Sequence, residues 1–396
     1  MKRIRYLEIG TSGGYLLLLA LLGALVAGGA AAAWFMEHQG HHVTGMDNQV
    51  VWGLPHVFAV FLIVAASGAL NVASIGSVFG QLAYKPLARL SGLLAIALLA
   101  GGLAILVLDL GRPDRLIVAI THYNFRSIFA WNIYLYTGFF VIVAAYLWTL
   151  MDRTVAGYAK GVGLFAFVWR LILTTGTGSI FGFLVAREAY DAAILAPLFI
   201  VLSFAFGMAL FLLVLLAAYQ GSGRPVGDAL LTRLRNLLGV FIAGALLLVA
   251  IQHLTSLYAA EHQAAVRLLL IDGGVVSGVF WIGQVLLGSL LPLALIYLAP
   301  FRGSRPALVA ACLLVVLGGL ATMYFVIIGG QAVPLELFPG MAASSSFFDG
   351  QFHSYAPSFP ELVLGLGGSA LALLLVALGV RVLPFLPDAL PDATAD

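Results

Sequence analysis

His56 and Asp109 are the side chains of this sequence best placed for acid–base chemistry. His56 lies about one turn inside a long apolar stretch, and Asp109 closes the next one in the run LDLGRPDR, Leu108 to Arg115, which also carries Arg112. The run FRSIFAWN then supplies Arg126, Trp131 and Asn132, and Arg187 ends a further apolar stretch. Imidazole titrates near neutrality, so His56 can take or give a proton at physiological pH, and a carboxylate beside it would favour its charged form. Asn132 can hydrogen-bond but carries no exchangeable charge. A structural reading competes: Asp109 and Arg112 form an interfacial ion pair while Gly111 and Pro113 end the helix.

A second set of polar residues follows helical spacing. His56, Ser67, Asn71 and Ser74 fall on one face of one apolar stretch, and Arg170, Thr174 and Thr177 on one face of another. Arg170 lies nine residues, about 13 Å, from the inner end of its stretch. A charge at that depth must face the interior of a bundle or a hydrated cavity. Small and hydroxyl residues in SGALNVASIGS (67–77) and GTGSIFG (176–182) are equally the close-packing residues of membrane helices.

The elements that carry these residues are membrane helices. The chain is 62% hydrophobic and 9% charged, with a mean hydropathy of +1.07, and its apolar stretches are each about as long as a bilayer core requires. Ten spans are predicted: 14–36, 53–80, 87–109, 127–151, 161–187, 192–219, 236–259, 274–299, 305–330 and 360–383. They are too long for barrel strands, which makes the fold an all-α integral membrane protein. Lys2, Arg3 and Arg5 precede the first span, which is too long for a cleaved signal and is kept as a helix. Placing the N-terminus inside puts thirteen Lys and Arg on the inner side and five outside, so both termini are expected in the cytoplasm.

The one cysteine, Cys312, excludes an internal disulfide, and the chain has no CxxC or CxxCH motif for zinc, iron–sulfur or covalent haem. Haem b held by His56 and His253 would call for more intramembrane histidines at matched depth, and Glu37, His38, His41 and His42 read as a hydrated loop, so no intrinsic metal is expected. The loop from Gln331 to Phe359 is long for a membrane connector and carries Pro334, Glu336, Pro339, Asp349, His353 and Pro357, which suggests a docking platform. The segment from Gly221 to Asn236 reads as a linker, and the tail after Arg381 as an extended, exposed end.

LDLGRPDR, FRSIFAWN and FVIIGGQ (325–331), in this order and spacing, resemble the signature of the polysulfide-reductase membrane-subunit family, the NrfD-type quinone-reactive subunits. With residues 41–80 the resemblance covers nearly the whole chain and is closest to the Dsr-type branch of sulfur-metabolising prokaryotes. It implies two four-helix bundles, spans two to five and six to nine, with spans one and ten at the periphery. The chain then divides into 1–52, 53–220, 221–330, 331–359 and 360–396. It further implies a site for menaquinone or another quinone at the outer end of the first bundle, where His56 matches a quinone-contacting histidine; Asp109, Arg112, Trp131, Asn132 and Thr177 are the further candidate contacts, with His56 or Asp109 in the acid–base role. A proton path would run through Ser67, Asn71, Arg170 and Thr174. Implied partners are an external iron–sulfur subunit, a multihaem cytochrome c subunit and further membrane and cytoplasmic subunits of a Dsr-type complex in the inner membrane, with no nucleic acid. Many members carry Trp-Asp where this chain has Trp131 and Asn132, and a tyrosine where this chain has Gly176 or its neighbours. Two other classes compete: a secondary transporter, which would gather ionisable groups near the midplane, and a passive anchor for redox subunits, which would bind no quinone.

Overall fold

The structure, a computed structural model, describes residues 4–335 and 351–390. Ten helices in it are long and apolar enough to cross a membrane: α1 (Gly13–Gln39), α2 (Leu54–Ser77), α3 (Leu82–Leu108), α4 (Ile128–Met151), α5 (Ala156–Gly182), α6 (Leu195–Ser222), α7 (Asp228–Tyr258), α8 (Val275–Tyr297), α9 (Arg305–Ala332) and α10 (Phe359–Val382). The protein is an all-α integral membrane protein. Hydroxyls start several of these helices: Ser12, Ser127 and Ser304 each accept a hydrogen bond from the amide three residues on, and at α10 the Glu361 carboxylate accepts from the Ser358 amide (2.7 Å).

Predicted spans and observed helices agree to within five residues at each end except at the start of α7. Helix α7 begins at Asp228, two turns before the predicted start, because Leu230, Leu231, Leu234 and Arg235 are buried while Arg233 stands exposed. The linker is thereby reduced to a short turn around Gly223, whose φ of 66° ends α6. Helix α5 ends at Gly182, which leaves Arg187 in the connection to α6.

Helix α2 is the most enclosed, packing against α3, α6, α10, α9 and α5. Its crossing with α6 depends on glycine: a Cβ on Gly68 would collide with the Ser203 carbonyl, and one on Gly207 with the backbone of Gly68 and Ala69. Helix α2 also breaks at Leu70. Ser91 of α3 repairs the break, its Oγ donating to Ala69 O (2.7 Å) and accepting from Ala73 N (3.1 Å). Freed backbone groups in a bilayer need such partners.

Helix α1 packs chiefly along α10, where Gly29 faces Gly367. The segments outside them also meet: Tyr6–Leu7 pairs antiparallel with Leu386–Pro387. The expected free C-terminal end is therefore corrected over its described part. Phe385, Leu386 and Leu390 are buried and Tyr219 donates to Pro387 O (2.8 Å), because the apolar residues between the prolines find a groove beside α6. Residues 391–396, and with them Pro391, lie outside the described residues, as do Glu336, Pro339 and Asp349 of the expected docking loop.

Candidate functional site

Asp109 follows the last turn of α3, its amide donating to Ile105 O (3.0 Å). The chain then turns away at Gly111, whose φ of 67° suits glycine and whose missing side chain leaves room for the His41 ring. His56 stands in the first turn of α2, after Pro55. These two helix ends bring His56 Nδ1 to 3.1 Å from Asp109 Oδ2. The distance is that of an ion pair, but the angles fall short of a hydrogen bond, and Nδ1 and both carboxylate oxygens have no other protein partner among the described residues. The Asp109 side chain is fully buried while that of His56 is 22% exposed, so imidazole is the face this pair presents outward.

Arg112 does not pair with Asp109. It donates from Nε and Nη2 to Asp114 Oδ1 and Oδ2 (3.0 and 2.9 Å), and both side chains are largely exposed. The two-residue spacing allows a bidentate fork that the helix end denies to Asp109. Arg112 holds the Asp114 carboxyl below the usual carboxylate range.

Trp131 is half-exposed, with Nε1 donating to Phe125 O (2.9 Å) among Tyr123, Phe125 and Tyr134. The tryptophan beside His56 is Trp52, whose ring centroid lies 6.5 Å from the imidazole, 5.8 Å from Phe129 and 5.9 Å from Phe181. Asn132 is buried, and its Nδ2 donates to Ile128 O (2.9 Å) and Gly176 O (3.2 Å). Both amide protons are thus engaged, leaving Oδ1 to accept. Thr177 Oγ1 lies 3.5 Å from that oxygen, 3.0 Å from Leu173 O and 3.4 Å from the Tyr136 hydroxyl. A side chain at Gly176 would run into Leu135 and approach Asn132.

The four residues Ser67, Asn71, Arg170 and Thr174 meet in the interior between α2 and α5. Thr174 Oγ1 lies 2.6 Å from Ser67 Oγ and 2.7 Å from Arg170 O, Ser67 Oγ donates to Arg170 O (3.1 Å), and Arg170 Nη2 donates to Asn71 Oδ1 (2.8 Å). Arg170 is fully buried against the rings of Phe167 and Phe204, yet Nε and Nη1 have no protein partner and no described carboxylate pairs with it. A buried guanidinium so under-satisfied is costly.

Gln331, the last residue of FVIIGGQ, holds the approach to His56. Its Oε1 accepts from Val51 N and Trp52 N (both 3.0 Å), and its Nε2 donates to Trp52 O (3.0 Å) and Ile327 O (2.9 Å). Arg187 donates to Gln331 O (3.1 Å) and Gln49 O (3.2 Å), and so ties the start of α2 to the end of α9 instead of joining the His56 pair. No helical spacing singles out Gln49, Trp52 or Tyr136, and in the sequence Gln331 stands only as the end of FVIIGGQ and the start of the long loop.

Residues 42–335 match the family model described as polysulphide reductase, NrfD, and the chain belongs to that family. It is similar to an Hdr-like menaquinol oxidoreductase integral membrane subunit of Archaeoglobus fulgidus, 28% identical over 96% of this chain and 95% of the relative. A selenate reductase subunit of Mesobacillus selenatarsenatis is 25% identical over 93% of this chain and 94% of the relative. A polysulfide reductase polypeptide of Wolinella succinogenes is 24% identical over 72% of this chain and 95% of the relative.

Proposed function

We propose that this chain is the quinone-reactive membrane subunit of a multi-subunit respiratory redox complex, exchanging electrons between menaquinone or a related quinone and an externally docked iron–sulfur subunit. The His56–Asp109 pair carries this reading: a partly accessible imidazole backed by a buried carboxylate, at a helix end, within reach of an apolar rim. The named relatives, from menaquinol, selenate and polysulfide oxidoreductases, support it. Sulfur-compound metabolism and a Dsr-type assembly with a multihaem cytochrome c are the narrower form of the proposal. The inner membrane, with both termini cytoplasmic, is its location, and the grouping into bundles α2–α5 and α6–α9 is its architecture.

The chemistry follows from the pair. Asp109 beside Nδ1 favours a proton on that nitrogen, which leaves the Nε2 lone pair to meet the ligand. A hydroquinone hydroxyl seated there gives its proton to Nε2 as electrons leave, and Asp109 stabilises the imidazolium. In the opposite direction the imidazolium donates to a quinone carbonyl. Trp52 and Phe129 line the approach for the ring, with Trp131 at the outer rim; Asn132 Oδ1 and Thr177 offer a second polar contact, and Arg112 acts at the mouth. Protons then travel between this site and the interior by way of Thr177, Thr174, Ser67, Asn71 and Arg170, whose unpartnered donors are met by water. The anchor reading leaves the unsatisfied His56–Asp109 pair without a purpose. Transport fits less well, because Arg170 is deep but His56, Asp109 and Arg187 stand at or beyond the ends of their helices.

The test is a fluorescence-quench titration of the purified protein with a menaquinol-site inhibitor, comparing wild type, His56→Ala and Arg267→Ala. Arg267, paired at the surface with Asp272, is the control. Saturable binding in wild type and Arg267→Ala, lost in His56→Ala, is expected. Equal binding in all three variants would refute the site.

A further inference from the structure

Three arginines converge on a cavity at the opposite face of the membrane, where α3, α4 and α10 end near the N-terminal strand. The cavity has a volume of about 530 Å³ and is lined by Arg5, Tyr6, Arg89, Leu150, Asp152 and Arg153, among others. Arg89 is fixed from three sides: its guanidinium stacks 3.9 Å above the Tyr6 ring, Nη1 donates to Pro384 O (3.0 Å), and Nη2 donates to Leu150 O (2.6 Å). Carbonyls and a ring orient this charge without neutralising it. Arg5 and Arg153 are exposed, and among the described residues none of the three arginines is in an ion pair. Asp152, the acid of the lining, is already engaged: Oδ1 accepts from Thr154 N (2.9 Å) and Thr154 Oγ1 (2.7 Å), and Oδ2 from Trp148 Nε1 (3.3 Å). Three positive charges therefore face one occupied carboxylate.

The surroundings locate this charge at a lipid boundary. Trp148 and Tyr158 stand exposed at the ends of α4 and α5, the position that amphipathic rings take at a membrane surface. Leu150, Met151 and Ile4 give the same cavity apolar walls. A basic cavity between helix ends, half apolar and half charged, matches a phospholipid: phosphate among the arginines, glycerol and the first methylenes along Leu150 and Met151. We infer that this cavity is a binding site for the phosphate of an anionic phospholipid, which seats the inner ends of α3, α4 and α10 in the bilayer.

The test uses the purified, lipid-depleted full chain in detergent, titrated by thermophoresis with dioctanoyl phosphatidylglycerol, dioctanoyl phosphatidylcholine and inorganic phosphate. The anionic lipid is expected to bind at least about fivefold tighter than the zwitterionic one, as roughly one interfacial arginine contact would give. Arg5→Gln with Arg153→Gln removes two exposed charges without disturbing the bonds of Arg89. It should weaken the anionic lipid about tenfold or more and leave thermal stability in lipid-free detergent unchanged, and the Lys/Lys double variant should restore binding. Equal affinity for the two lipids, or an unaltered double variant, would overturn the inference. Displacement of the anionic lipid by millimolar phosphate would make this a free-anion site and overturn it too.

Discussion

At the residue scale, His56 and Asp109 can be separated by what each loses. Asp109→Asn keeps the size and burial of the side chain but removes the charge that backs the imidazole, so quinol binding should persist while turnover falls on the order of a hundredfold. Steady-state quinol oxidation by the assembled complex measures this, and an equal loss of binding would assign Asp109 to packing. Arg170 invites the opposite comparison. It is a buried charge with two donors lacking protein partners, and apolar replacement of such groups is often neutral or stabilising. Arg170→Met should therefore melt no earlier than wild type, yet slow proton uptake in proteoliposomes at least tenfold. A drop in melting temperature with normal uptake would reduce Arg170 to a structural role. His56, Asp109 and Arg170 were legible from residue type and depth alone. The partner of Arg112 was not, because the choice between Asp109 and Asp114 depends on where the helix stops and how Gly111 turns the chain.

At the scale of the elements, the spans were readable because a bilayer imposes length and apolarity on each helix independently. What joins them was not, since Gln49, Trp52 and Gln331 act through backbone atoms about 280 residues away in sequence, and no periodicity encodes such a contact. The Gln331 side chain makes four hydrogen bonds, three of them to the backbone just before α2. Gln331→Ala leaves two amides and a carbonyl there to find new partners, which should cost about 1–3 kcal/mol and lower inhibitor affinity, although the side chain stands apart from the His56 pair. Thermal melting and the quench titration read both effects. Ser91→Ala makes a second case: loss of the two bonds that repair the break at Leu70 should cost about 1–2 kcal/mol.

At the scale of the whole molecule, α2 is the axle on which the rest is mounted, and its contact with α6 at Gly68 and Gly207 admits no side chain. Gly207→Val should force the two helices apart and lower the melting temperature by several degrees or more, with loss of inhibitor binding as a consequence of altered α2 geometry. Calorimetry and titration of the same sample check it. The pairing of α1 with α10 has a further consequence for biogenesis. The principal neighbour of α1 is a helix made much later, and the strand before α1 waits for residues that follow α10. At roughly 5–20 residues per second, about 346 residues of synthesis separate Gly13 from Phe359, a delay of roughly 20 to 70 s. Throughout it the Gly29 face of α1 lies against lipid. A chain whose synthesis stops before α10 would leave that face, and the strand before α1, without their partners.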